Sequence, residues 1–294
     1  MQKITPHLWF DQEAIEAANF YVSTFPNSKV KSTTSLRNTP SGSVDIVTFV
    51  LSGLEFQAIS AGPYFKFNPS ISFFINCDSK EEVDSLWEKL SPGGQVLMEL
   101  GEYPFSERYA WVQDKYGLSW QLIYSKEMGS SQKIMPSMLF VGDVCGRAEE
   151  ALNFWISVFK AGKVKTIQRY GQGEEPDQPG TAKYASFSLF GQDFGAMDSA
   201  YDHNFMFNEA ISFIVNCDTQ EEIDAYWGKL SAVPEAEQCG WLKDKFGLSW
   251  QIVPKGMDEM LQGDDQEKID RVTQAFLVMK KIDLGKLQEV FEGK

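Results

Sequence analysis

Two hydrophobic periods alternate along this chain in a fixed order, and the order recurs. Residues 4–10 (ITPHLWF) have the two-residue period of a strand, with Thr5, His7 and Trp9 on one face and Ile4, Pro6, Leu8 and Phe10 on the other. Residues 12–25 switch to a helical stripe at Ile15, Ala18, Val22 and Phe25, which predicts a helix with one buried face. Residues 29–36, 44–51 and 54–60 read as strands, with Pro40-Ser41-Gly42 and Ser52-Gly53 as the turns between them. The pattern then restarts. Residues 70–77 form a strand, Ser79-Lys80-Glu81-Glu82 has the form of a capping box, and the helix behind it buries Val83, Leu86, Trp87 and Leu90. Strands are expected near 95–101, 109–114 and 118–124, giving β-α-β-β-β twice.

The whole arrangement is duplicated. FNPSISFFINCD at 67–78 matches FNEAISFIVNCD at 207–218 in eight of twelve positions, and DKYGLSWQ at 114–121 matches DKFGLSWQ at 244–251 in seven of eight. The opening strand recurs as IMPSMLF at 134–140, the first helical stripe as Ala148, Leu152, Ile156 and Phe159, and the capping box as Thr219-Gln220-Glu221-Glu222. The spacing between copies is 130 at the start, 140 in the middle and 130 at the end, so insertions and deletions separate them. A repeat of this length is a domain rather than a solenoid unit. The reading is a first domain at 1–126, a polar linker at 127–133, a second domain at 134–255 and a helical tail at 256–294. Ile269, Val272, Phe276, Met279 and Ile282 in the tail predict two short helices, broken near Gly285 and packed on the second domain. An isolated β-α-β-β-β module leaves one sheet face bare. Paired modules curl around a shared cleft with helices on the outside, an α+β fold.

Composition narrows the function classes. With 43% hydrophobic and 14% aromatic residues there is enough material for two packed cores, which excludes wholesale disorder. A net charge of −14 disfavours nucleic acid and anionic membrane as partners. The N-terminus has no charged segment followed by an apolar run, and no apolar stretch is long enough to cross a bilayer. The four cysteines, Cys77, Cys145, Cys217 and Cys239, form no C-x-x-C pair, so free thiols in a reducing cytoplasm are expected.

The phrases ITPHLWF, NFYVSTF, ISFFINCD and DKYGLSWQ, in this order and at this unit length, resemble the vicinal-oxygen-chelate (glyoxalase/bleomycin-resistance/extradiol dioxygenase) superfamily. Within it they resemble the PhnB-like branch, labelled 3-demethylubiquinone-9 3-methyltransferase, over residues 4–125 and 134–255. The resemblance implies two glyoxalase/bleomycin-resistance-like domains in tandem, each of two modules around a cleft. Related single domains often dimerise to complete their clefts, so the fused pair can be an intramolecular version of that dimer, and a homodimer of the chain is a further expectation. The superfamily spans lyases, dioxygenases, epimerases and non-catalytic drug binders. The methyltransferase label has no support in the residues. No Gly-rich strand–turn–helix with a following acidic residue is present, and Gly171-Gln172-Gly173 lies in a polar loop.

The resemblance also implies a divalent metal held by His and Glu on the first and fourth strands of paired modules. At those positions this chain has Thr5, or His7 two residues on, then Gln57 and its counterpart Gly195, Ser72 and Ser212, and Gln121 and Gln251. With two histidines in all, His7 and His203, a multi-histidine site in each repeat is impossible, and Asp198 could supply a carboxylate near the fourth strand of the second copy. No metal and no other cofactor is therefore expected. His7 beside Trp9 reads as a cleft acid/base, as an aromatic platform, or as a strand histidine satisfied by a neighbour. Ser72 and Ser212 lack the adjacent base that a nucleophile requires. Asn76-Cys77-Asp78 and its copy read as a buried thiol with a capping Asp, Asp114-Lys115 and Asp244-Lys245 as turns with local ion pairs, and Trp120 and Trp250 as core. Trp111 and Trp241 are candidate cleft walls. The expected ligand-binding set is His7, Trp9, Gln57, Ser72, Phe74, Trp111, Gln121, Asp198, Ser212, Trp241 and Gln251. Three functions fit: a small-molecule binder whose cleft is lined by His7, Trp9, Gln57, Phe74, Trp111 and Gln121, a metal-dependent lyase, isomerase or dioxygenase, and a non-catalytic interaction scaffold.

Overall fold

A computed structural model describes residues 2–124, 132–263 and 265–294, so most of the expected linker lies outside the described residues. The first module holds β1 (Ile4–Phe10), α1 (Ala14–Thr24), β2 (Lys29–Thr39), β3 (Gly42–Leu51) and β4 (Leu54–Ser60). The second holds β5 (Ile71–Asn76), α2 (Lys80–Leu90), β6 (Gln95–Tyr103), β7 (Ser106–Gln113) and β8 (Ser119–Tyr124). The third holds β9 (Ile134–Phe140), α3 (Ala148–Phe159), β10 (Gly162–Arg169), β11 (Ala182–Leu189) and β12 (Gln192–Asp198). The fourth is shorter, with β13 (Ile211–Cys217), α4 (Gln220–Leu230), β14 (Trp241–Lys243) and β15 (Ser249–Pro254). It departs from the expected β-α-β-β-β because no counterpart of β6 forms among its described residues. The reduced repeat spacing after residue 230 leaves too little chain for that strand. The tail supplies partners at that edge instead, with Cys239 N donating to Met279 O at 2.7 Å and Gly240 N to Lys280 O at 2.8 Å.

The α+β class is as expected, and the pairing of modules crosses the repeats. One sheet of seven strands runs β14-β15-β13-β1-β4-β3-β2, and one of eight runs β10-β11-β12-β9-β5-β8-β7-β6. The first module thus shares a sheet with the fourth, and the second with the third. Each seam is antiparallel, β1 against β13 (His7 opposite Ser212) and β9 against β5 (Ser137 opposite Ser72). The N-C-D phrase explains how the seams are held. Asn216 Nδ2 donates to Gln2 O at 3.0 Å and Asn76 Nδ2 to Gln132 O at 2.7 Å, so each asparagine grips the start of the partner module. Lys3 pairs with Glu222 and Lys133 with Glu82, each at 2.7 Å. Asp78 and Asp218 are not the helix caps. The Ser79 and Thr219 hydroxyls accept from Glu82 N and Glu222 N, while Asp78 pairs with Lys133 and Asp218 with Lys3 and Lys255.

The core follows the repeats rather than the sheets. In the first repeat Phe56 of one sheet meets Phe73 of the other with ring centroids 5.1 Å apart, and Trp120 packs on Tyr21 and Phe25 of the α1 end. Beneath lies Asp114, which is buried and makes no ion pair with Lys115 because Lys115 reaches Glu16 instead. Its carboxylate accepts from Tyr21 Oη and Trp120 Nε1 at 2.8 Å each, and from the backbone N–H of Tyr116 and Leu118. Asp244 does the same in the second repeat with Trp155 Nε1, Trp250 Nε1, Phe246 N and Leu248 N. Burial leaves both carboxyls above the usual carboxylate value, and the donors offset only part of that rise. The aspartate of the repeated D-K-x-G-L-S-W-Q phrase is therefore a buried anchor between a turn and two aromatic donors.

The tail forms α5 (Met257–Met260), α6 (Gln266–Leu277) and α7 (Leu284–Glu292). The break falls at 278–283 rather than near Gly285, because the Asp283 side chain caps Lys286 N at 3.0 Å and starts α7 just before that glycine. The tail does not rest on the second repeat alone. Ile269, Val272, Phe276 and Leu261 join Leu36 and Val44 of the first module and Ile214 and Val253 of the fourth in one apolar cluster. That cluster lies over one face of the seven-stranded sheet. Among the described residues no helix is long and apolar enough to cross a membrane.

Candidate functional site

Each sheet carries one row of side chains across its cleft face. In the seven-stranded sheet the register places Trp241 opposite Gln251, His7 opposite both Ser212 and Gln57, and Gln57 opposite Thr48. In the eight-stranded sheet the matching row is Trp111, Gln121, Ser72, Ser137, Gly195 and Ser186. The expected site residues are thus divided. His7, Trp9, Gln57, Ser212, Trp241 and Gln251 share one cleft, and Ser72, Phe74, Trp111 and Gln121 share the other. A single cleft lined by His7, Trp9, Gln57, Phe74, Trp111 and Gln121 does not exist, because β1 pairs across the repeat with β13 and not with β5. Asp198 lines neither row. Its carboxylate accepts from Gly146 N, Ala148 N and Ala182 N, tying β12 to the start of α3.

The second cleft is packed with its own side chains. Phe74, Tyr109, Ile123 and Met135 form a buried cluster joined by Trp111, Tyr184 and Met197. Gln121 is fully engaged, accepting from Tyr109 Oη at 2.5 Å and donating to Ser72 Oγ at 2.7 Å. At the position equivalent to Gln57, a Cβ on Gly195 would lie 2.8 Å from Ser137 Oγ and 3.2 Å from Ser137 Cβ, so even a methyl group is crowded there.

The first cleft encloses a cavity of about 780 Å³, roofed by residues of α5 and α6. Gln251 Nε2 donates to Ser212 Oγ at 2.9 Å and Gln57 Nε2 to Asp258 Oδ1 at 3.0 Å. Both amides thus present their oxygens without a protein donor among the described residues. His7 is 3% exposed and its Nδ1 has neither partner nor solvent, and Thr5 Oγ1 beside it is likewise unpartnered. His7 is therefore not satisfied by a neighbour. Burial holds its imidazole neutral, lowered to about 3. The walls are aromatic and meet at steep angles: His7 to Trp241 at 5.3 Å and 89°, Trp9 to Trp241 at 6.1 Å and 76°, and Trp9 to Phe65 at 5.1 Å and 82°. Trp9 Nε1 is fixed by Gly62 O at 2.8 Å. Tyr64 stands exposed at the rim, its ring 6.4 Å from Trp9. Ser212 accepts from Gln251 and makes no bond to His7, so no nucleophile–base pair forms.

Asp258, Tyr64 and Phe65 are cavity residues that the strand pattern did not reveal. Asp258 belongs to the tail. It keeps surface open to the cavity while protein surrounds it, and burial raises its carboxyl. The only hint in the sequence is a Met-Asp-Glu-Met run after Gly256.

The superfamily's metal does not fit these residues. The floor offers one imidazole, two carboxamide oxygens and a serine hydroxyl, and Gln57 already engages Asp258, the carboxylate it meets from the tail. Among the described residues no three His, Cys, Asp or Glu side chains are grouped as ligands. The two floor positions where the superfamily pattern calls for carboxylates are Gln57 and Gln251, neutral donors that a transition metal binds poorly.

The neutral His7 carries a pH prediction. Its folded value lies below the unfolded 6.5, so the unfolded chain takes up the proton first. The stability it contributes is complete above about pH 6.5 and is lost as pH falls toward 3, at ~1.4 kcal/mol per pH unit. Urea unfolding at pH 7 and pH 5 will show a loss that His7→Gln reduces by ~2 kcal/mol. Equal pH slopes for the two proteins would remove His7 as its source.

Comparison with known proteins agrees with this architecture. The family model described as 3-demethylubiquinone-9 3-methyltransferase matches twice, over residues 2–123 and 132–253. A PhnB protein from Bacillus cereus is 41% identical over 42% of this chain and 100% of its own, with a TM-score of 0.40. Glyoxalase I from Zea mays is 12% identical over 85% of this chain and 93% of its own, with a TM-score of 0.51, a likeness of fold. No curated protein matches. With both of its repeats covered by one family model and both folded into glyoxalase-like sheets, the chain belongs to the PhnB-like family described as 3-demethylubiquinone-9 3-methyltransferase.

Proposed function

We propose that the chain binds a small organic molecule in the cavity of the seven-stranded sheet, without the metal chemistry of its superfamily. The observation that carries this reading is the contrast between two related clefts. One is filled by its own aromatic and methionine side chains. The other keeps about 780 Å³ between an aromatic wall and a polar floor, within the size range of ligand pockets. The carboxamide oxygens of Gln57 and Gln251 on the cavity floor support it, since they take no protein donor among the described residues and a buried acceptor gains by meeting a ligand or water. The setting proposed is the cytoplasm, in keeping with four free cysteines, of which burial pushes Cys77 and Cys217 up to about 12.

The test is a panel of one- and two-ring aromatic compounds followed by ligand-observed NMR and calorimetry. Trp241→Ala is expected to weaken the best binder about tenfold, the worth of one aromatic contact. Trp111→Ala, in the filled cleft, leaves it unchanged. Weakening by Trp111→Ala alone would place the ligand in the wrong cleft for this reading, and no binding by any compound would end it.

A further inference from the structure

The charges around the cavity are one-sided. Lys31 lines it but is spent on Glu55 at 2.6 Å, and Glu209 is neutralised by Lys243 at 2.8 Å. That leaves Glu235, Asp258 and Glu259, none of which makes an ion pair among the described residues, with Lys31 acting on Asp258 only at longer range. The floor beneath them is rich in acceptors, since the Gln57 and Gln251 oxygens take no protein donor. The imidazole of His7, held neutral, adds no positive charge. The walls are π-faces at near right angles, an open box rather than a stack, which is the arrangement that favours a cation against several rings at once.

Resting on the cavity as a ligand site, the geometry points to an organic cation as its occupant: a protonated amine on an aromatic or apolar body, its N–H groups facing Asp258 and the amide oxygens and its charge against Trp9 and Trp241. These elements are within reach of one another. Asp258 bonds Gln57, Gln57 is the strand neighbour of His7, and His7 touches Trp241, which meets Trp9. An anionic ligand of the same shape would face three carboxylates that make no ion pair among the described residues.

Three probes with one body separate charge from shape: 2-(1-naphthyl)ethylammonium, 2-(1-naphthyl)ethanol and 3-(1-naphthyl)propanoate, titrated calorimetrically into the full chain. The ammonium is expected to bind about tenfold more tightly than the alcohol, and the carboxylate most weakly. Asp258→Asn, which retains an acceptor for Gln57, is expected to cost the ammonium about tenfold and leave the alcohol unchanged. Binding of the alcohol or carboxylate as tight as the ammonium, or equal ammonium affinity in Asp258→Asn, would overturn the cation assignment and leave the cavity reading standing. No binding by any of the three at millimolar concentration overturns both.

Discussion

Asp244→Ala will lower the unfolding free energy by about 4 kcal/mol, the range seen when a buried charged partner is removed. The side chain is 0% exposed and satisfies four donors, two of them the indole N–H groups of Trp155 and Trp250. Alanine leaves all four in a site whose neighbours are aromatic rings, with Trp155 and Trp250 5.9 Å apart. For a chain of this size the melting temperature should fall by roughly 10 °C. Asp244→Asn should cost about half as much. It keeps an oxygen for Phe246 N and Leu248 N but turns an amide N–H₂ toward two indole donors. Calorimetric melting of both variants is the check. A loss under about 1 kcal/mol for the alanine would mean that water replaces the carboxylate and that the anchor role is wrong.

Val272→Asp tests the tail as the roof of the cavity. Val272 is fully buried in the apolar cluster that joins α6 to Leu36, Val44, Ile214 and Val253. An unpaired carboxylate there costs several kcal/mol, more than a short helix gains by docking. Amides of α6 should then exchange at least about a hundredfold faster, equivalent to about 2.7 kcal/mol. Trp9 and Trp241 should shift to redder emission as the cavity opens. The two repeat cores should remain protected, because their cluster is separate from that beneath the tail. Loss of protection spread evenly over both sheets would show instead that the tail is part of the cooperative core.

Much of this molecule was legible in the residues. The period-two run of ITPHLWF, the stripe at 12–25 and the capping boxes are local signals, and each produced its element because side-chain direction in strands and helices depends on nearby backbone alone. The same logic put Thr5, His7 and Trp9 on one face, which is the face that borders the cavity. The depleted metal positions were also readable, since they required only the identities of Gln57, Ser212 and Gln251.

What local pattern could not decide was which modules meet. β1, β5, β9 and β13 each offer an edge of the same kind, and pairing within a repeat or across repeats satisfies identical hydrophobic periods. Only the folded chain, with Lys3 held by Glu222 and Lys133 by Glu82, shows that His7 shares its cleft with Gln251 and not with Gln121. Asp258 was hidden for a similar reason. Its place depends on where the tail comes to rest, and the apolar stripe of α6 states that the helix is covered without stating by what. The sequence by itself therefore determined the elements, the duplication and the chemical character of each strand face. The tertiary structure alone decided which faces share a cavity, which cavity stays open and what closes it, because those depend on contacts between segments far apart in the chain.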